Sequence, residues 1–329
     1  AVALKGLIYA IGGDNGSATN AVESYNPSSN TWTRMRDMPT ARSRMAAAAV
    51  GSTIYVIGGA SGTAFLDVVE AYDTLTDTWW SRSSLRFPLA DAAAVVAVTT
   101  TQYTSGTVYV LGGSVVAGSA TSGVEAYYTD LDAWSGTWTG MRQLLKARAG
   151  LAAISIPPQP TAAASVKFYA LGGDDLGFFG ALPNVESWSP ATNLAWAPET
   201  SLPQGVRGLA AVVYRQVNDG DYFVYATGGE SGGRILADAK MGYHVSACQL
   251  CPPWSATSDM GAPRTEHAAV VLGGAASGGV YVLGGRADWL DANEALDAGT
   301  GIWSTASGLP TARGGLALAR PAPGGRLYA

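Results

Sequence analysis

The sequence predicts an all-β protein assembled from six copies of one four-stranded unit. Three observations carry this expectation: six apolar segments that each end in a glycine pair, a tryptophan at a similar distance after each pair, and a composition rich in turn residues and poor in charge. Of 329 residues, 42 are Gly and only 14% are charged, which excludes a charged disordered tail and a Lys/Glu-rich helical array. Length alone would suggest about two domains at ~150 residues each, but a fixed internal period overrides that prior.

The period is set by the strands that run into Gly12-Gly13, Gly58-Gly59, Gly112-Gly113, Gly172-Gly173, Gly228-Gly229 and Gly284-Gly285, spaced by 46, 54, 60, 56 and 56 residues. Each pair is followed 19 to 26 residues later by a tryptophan, namely Trp32, Trp79, Trp138, Trp196, Trp254 and Trp303. Between them lies a short strand, Val22-Glu23-Ser24-Tyr25 in the first copy, Val69-Glu70-Ala71-Tyr72, Val124-Glu125-Ala126-Tyr127 and Val185-Glu186-Ser187-Trp188 in the next three. The fifth copy has decayed around Met241-Gly242-Tyr243, and the sixth reads Asn293-Glu294-Ala295-Leu296.

After the tryptophan comes a loop usually with Pro and Arg, such as Met38-Pro39-Thr40-Ala41-Arg42, and then a small-apolar run such as Ala46 to Val50 or Ala268 to Leu272. A continuous apolar run bounded by turn residues suits a strand buried on both faces. Each unit therefore has an inner small-residue strand, the strand ending in Gly-Gly, the Glu-Tyr strand and an outer strand carrying Trp.

This pattern resembles the Kelch repeat family, whose repeat of about 50 residues forms one blade of a β-propeller. The resemblance covers essentially the whole chain and implies a six-bladed Kelch-type β-propeller with four antiparallel strands per blade. WD40 is a poor rival: its period is nearer 40 to 45, and no Trp-Asp pair closes these strands. Small residues suit the axis, where inner strands converge, glycine permits positive φ and close backbone approach, and Tyr and Trp fill the widening space between blades. The expected blades span about 1–37, 38–84, 85–141, 142–200, 201–257 and 258–308. Residues 309–329 either close the ring or begin a further repeat, and the chain reads as a piece of a longer protein.

Charges that recur with the blade are expected to be structural. These are Arg42, Arg148, Arg207, Arg264 and Arg313 of the loops before the inner strands, with Asp91 at the second junction, and Glu23, Glu70, Glu125, Glu186 and Glu294. Residues that differ between blades are freer to carry function. Loops after Gly-Gly and loops before the inner strand emerge on one face, which in Kelch proteins commonly holds the partner. The resemblance thus implies a partner-binding site around Asp14, Arg44, Asp174, Asp175, Glu230, Arg234, Glu266, His267, Arg286 and Asp288. Phe178 and Phe179, an aromatic pair flanked by glycines, are the sharpest contact candidates on that face, while Phe65 and Trp289 read as packing residues.

Chemistry beyond binding finds little support. Cys248-Gln249-Leu250-Cys251, expected in the loop between the third and fourth strands of blade five, lacks the ligands for a zinc site, so neither a metal nor a cofactor is expected. The histidines His244 and His267 do not supply a copper radical oxidase constellation, and the Glu-x-x-x-Asp-x-x-x-His spacing of plant specifier proteins does not occur. The expected function is a non-catalytic binding or scaffold module for a protein partner. The alternative is a carbohydrate-binding or sugar-acid-modifying enzyme using an Arg/Glu/His pocket around Arg44, Glu266 and Arg286. A net charge of -5 argues against nucleic acid, and no apolar run is long enough to span a bilayer. The sequon Asn15-Gly16-Ser17 and the low charge lean the compartment outward, with a cytosolic scaffold as the other reading.

Overall fold

The computed structural model describes residues 2–98, 106–134, 142–157, 166–177, 180–192, 194–215, 222–245, 248–272 and 279–316. It is a six-bladed β-propeller, each blade a four-stranded antiparallel sheet, with no α-helix among the described residues. Blade one runs Val2–Leu4, Leu7–Ile11, Val22–Asn26 and Thr31–Arg34, in that spatial order. The other five repeat it, with inner strands Ala46–Val50, Ala93–Val98, Ala152–Ile156, Ala210–Arg215 and Ala268–Leu272. No described helix is long and apolar enough to cross a membrane.

Alanine dominates the axis because six strands meet there at close range. Ala48, Ala94, Ala153, Ala211 and Ala269 line a narrow central channel. Larger side chains fill six apolar clusters, one between each pair of neighbouring blades. Between blades two and three, for example, Tyr55, Leu85, Leu89, Val108 and Tyr127 pack together.

Two hydrogen-bond circuits join the blades and close the ring. At the axial mouth, Asp91, Gly150, Gly208, Glu266, Gly315 and Arg44 each donate their amide to the carbonyl of the equivalent residue one blade back, at 2.8–2.9 Å. All six have φ between 52° and 62°. At the rim, each tryptophan indole donates to a carbonyl of the preceding blade: Trp79 to Arg36, Trp134 to Ser83, Trp196 to Arg142, Trp254 to Thr200, Trp303 to Ser258 and Trp32 to Ser307. The last of these, at 2.9 Å, ties blade one to blade six.

The segment up to Leu316 therefore makes at blade one the bonds that the other entry loops make at theirs. Gly314 exchanges amide and carbonyl bonds with Asp14, and Leu309 and Leu316 pack with Ala3, Ile8 and Ala10. This supports closure over a seventh blade; residues 317–329 of the expected closing strand lie outside the described residues.

The geometry corrects two assignments and explains a third feature. Trp134, not Trp138, is the blade-three tryptophan, because it pairs with Tyr127 as Trp32 does with Tyr25 and Trp79 with Tyr72; Trp138 lies outside the described residues. Cys248 and Cys251 belong to the outer strand Cys248–Ala256 and not to a loop. In the fifth copy the tyrosine position is Gly242, where a Cβ would come within 3.1 Å of the Trp254 ring, so the indole fills the space that tyrosine takes elsewhere.

Candidate functional site

The Gly-Gly turns build the candidate face. The second glycine of each pair donates its amide to the loop of the next blade, Gly13 to Arg42, Gly59 to Leu89, Gly113 to Arg148, Gly173 to Val206, Gly229 to Arg264 and Gly285 to Arg313. The approach leaves no room for a side chain: a Cβ on Gly58 would lie 2.3 Å from the Leu89 carbonyl. The residue after each pair then bridges back to its own blade's entry loop, as in Asp14 with Gly314, Asp174 with Ala149, Glu230 with Arg207 and Arg286 with Thr265. Both sets of loops thus share one face, as the sequence predicts.

The same register separates buried charge from available charge. Arg42, Arg148, Arg264 and Arg313 are fully buried and pair with Glu70, Glu186, Glu294 and Glu23. Arg148 also donates to the carbonyls of Gly172 and Asn184, and Arg264 does the same with Gly284 and Ala292. Burial pushes the pKa of each guanidinium down while its glutamate pushes it up. These charges hold the fold.

Arg207 and Asp91 do not belong to that set. The equivalent positions are Val206 and Leu89, each shown by its carbonyl's bond to the preceding Gly-Gly. Arg207 sits one residue later, has a side chain 43% exposed, and reaches Asp174 at 3.1 Å and Glu230 at 2.9 Å on the face. Asp91 is a member of the axial circuit beside Arg44, to which it is ion-paired.

Around the mouth, Arg44, Asp91 and Glu266 surround a funnel of ≈ 100 Å³ together with Gly150, Gly208 and Gly315. Glu266 is held above the usual carboxylate range by burial, with Arg286, 3.6 Å away, pulling the other way. The Arg44 guanidinium lies over the Phe65 ring at 5.3 Å and that of Arg286 over Trp289 at 5.2 Å, so both aromatics support an arginine on the face. Asp14 is half-buried, and Arg234, Arg286 and Asp288 are exposed.

Other candidates have different roles. His267 is buried, with Nε2 2.9 Å from Thr227 Oγ1, and burial together with Arg264 lowers its pKa to about 3; it packs under Gly228 as a neutral core residue rather than on the face. Asp174 is buried and Asp175 accepts the amides of Gly177 and Gly180, so both shape their loop. Phe178 and Phe179 lie outside the described residues. Asp91 and Arg207 are face residues that sequence reasoning misplaced; the missed signal is the fixed distance to the inner strand, since residue spacing from Pro varies. Among the described residues no group of His, Cys, Asp and Glu is arranged to hold a metal.

Comparison with known proteins agrees with this geometry. The Kelch motif matches residues 1–39 and 41–83. Kelch-like protein 35 of Mus musculus is 40% identical over 88 residues, and Kelch-like protein 7 of Rattus norvegicus is 37% identical over 97. These matches cover 26% and 29% of this chain but only 15% and 17% of the relatives' own lengths. Among solved structures, "Structure of YjhT" superimposes with a TM-score of 0.64 over 90% of this chain and 96% of the other, at 14% identity, a likeness of fold. Kelch motifs are thus matched in the first two blades, and the same Gly-Gly seam recurs in all six blades of the β-propeller.

Proposed function

We propose that the domain is a non-catalytic module that binds a protein partner through the Gly-Gly face. The observation that carries this reading is the axial circuit. Its backbone geometry favours glycine, yet three of the six positions hold charged residues: Arg44 at φ 59°, Asp91 at φ 56° and Glu266 at φ 52°. Left-handed backbone in a non-glycine residue costs on the order of 1–3 kcal/mol and gathers at functional sites. Gly150, Gly208 and Gly315 show that the ring forms without those side chains.

The size of the funnel favours a protein surface over a small molecule. Ligand pockets usually enclose ~300–1,000 Å³, well above the ≈ 100 Å³ here. The test is affinity capture followed by mass spectrometry, comparing the wild type with Glu266→Gly and Arg286→Glu. Partners lost in both variants, with folding intact, support the reading; an unchanged set of partners rejects it.

A carbohydrate or sugar acid as ligand is the second reading, favoured by Arg44, Glu266 and Arg286 meeting beside the funnel. Glycan-array binding that vanishes with Glu266→Gly would favour it over a protein partner.

A further inference from the structure

Repeated glutamates of the third strands have one outlier. Glu23, Glu70, Glu186 and Glu294 each meet a buried arginine from the loop that enters their blade. Glu125 occupies the same register, opposite Val110 as Glu70 is opposite Val56, but its entry loop presents Leu89. Glu125 is 2% exposed, and neither carboxylate oxygen has a hydrogen-bond partner. Blade five also lacks the arginine, but there Lys240 replaces the glutamate, so no buried acid is stranded.

We propose that Glu125 is a proton-sensitive element of the seam between blades two and three: a neutral carboxylic acid in the folded ring whose ionisation weakens that seam. A buried carboxylate without a partner is far costlier than a buried acid. The loop it faces is the one that Gly59 stitches to blade two through the Leu89 carbonyl, so a charge there strains the seam directly. Arg86, on the same loop, is the charged group among the described residues that acts on Glu125, and its attraction is outweighed by burial, which pushes the carboxyl up to about 7. Hydrophobic Val110 faces it from the second strand, while residues 135–141 lie outside the described residues.

The sign follows from linkage. A folded-state value above that of the unfolded chain means the folded state holds a proton which the unfolded chain releases first, so stability falls as pH rises from about 4.5 to about 7. His267 acts oppositely, losing stability as pH falls below about 6.5 toward about 3, so Glu125 is read as the difference between wild type and Glu125→Gln.

Urea unfolding at pH 5 and pH 8 is the experiment. Relative to Glu125→Gln, the wild-type folding constant is expected to fall about 70-fold over that interval. Leu89→Arg, which restores the arginine of the other blades, is expected to remove the same dependence. Infrared difference spectra supply a readout independent of unfolding: a protonated-carboxyl band at pH 6 that is lost by pH 8 and missing from Glu125→Gln. Parallel stability profiles for wild type and Glu125→Gln, or identical infrared spectra at pH 6, would overturn the proposal.

Discussion

Blades three and four share a strand register and differ in one partner. In blade four, Glu186 receives the Arg148 guanidinium and the Leu145 amide, and Arg148 also donates to the carbonyls of Lys146, Gly172 and Asn184. In blade three, Glu125 faces Leu89 with both oxygens unpaired. Backbone stitching is the same at both entry loops, Gly59 to Leu89 and Gly113 to Arg148. The comparison teaches that amide hydrogen bonds and apolar clusters suffice to assemble a seam, and that the ion pair matters because a buried charge once present must be answered.

The largest expected effect comes from making blade four resemble blade three. Arg148→Ala strands Glu186 and should cost about 3–5 kcal/mol in urea unfolding at pH 7. Adding Glu186→Gln should recover much of that loss; if the double variant is as unstable as the single, stranded charge is not the cause. Next come the shared stitches. Gly58→Ala and Gly112→Ala would place a Cβ 2.3 Å from the Leu89 carbonyl and 2.5 Å from that of Arg148, in backbone at φ 61° and 60°. Each should lower stability by more than about 1 kcal/mol, and a harmless Gly58→Ala would show that the seam without an ion pair is slack.

Rim bonds should be worth less. Trp134→Phe and Trp196→Phe each remove an indole donor, to Ser83 and to Arg142, for about 1 kcal/mol apiece in thermal unfolding. Glu266→Gly should move the other way, gaining about 1 kcal/mol from relief of left-handed strain while partner capture is lost. Smallest of all is Arg207→Ala. Its ion pairs are partly exposed, so stability should shift by less than about 1 kcal/mol while binding responds more; a large loss of melting temperature would return Arg207 to the structural set.

Much of this was readable in advance, and the failures have a common cause. Arg42, Arg148, Arg264 and Arg313 each lie four residues after a buried Met or Leu, namely Met38, Leu144, Met260 and Leu309. In the fifth loop that position after Leu202 is Val206, and Arg207 follows one residue later, so residue type alone mistook Arg207 for a member of the buried set. Trp138 was assigned to the third copy by its distance from Gly-Gly, whereas strand pairing with Tyr127 identifies Trp134. His267 looked like face chemistry beside Glu266, but the chain turns through left-handed backbone at Glu266, φ 52°, and His267 turns down toward Gly228.

The amino-acid sequence by itself determined the strand order, the six-fold period, the glycine turns and the face on which their loops gather. These are local or periodic properties, fixed by residue size, φ preference and alternation within a few positions. Tertiary structure alone decided how the ring shuts, because the bonds of Trp32 to Ser307 and of Arg44 to Gly315 join residues more than two hundred positions apart. It also decided which charges are answered: whether a glutamate meets Arg148 or Leu89 depends on what packs across the seam, and that is where the candidate site and the lone buried acid become distinguishable from their repeated neighbours.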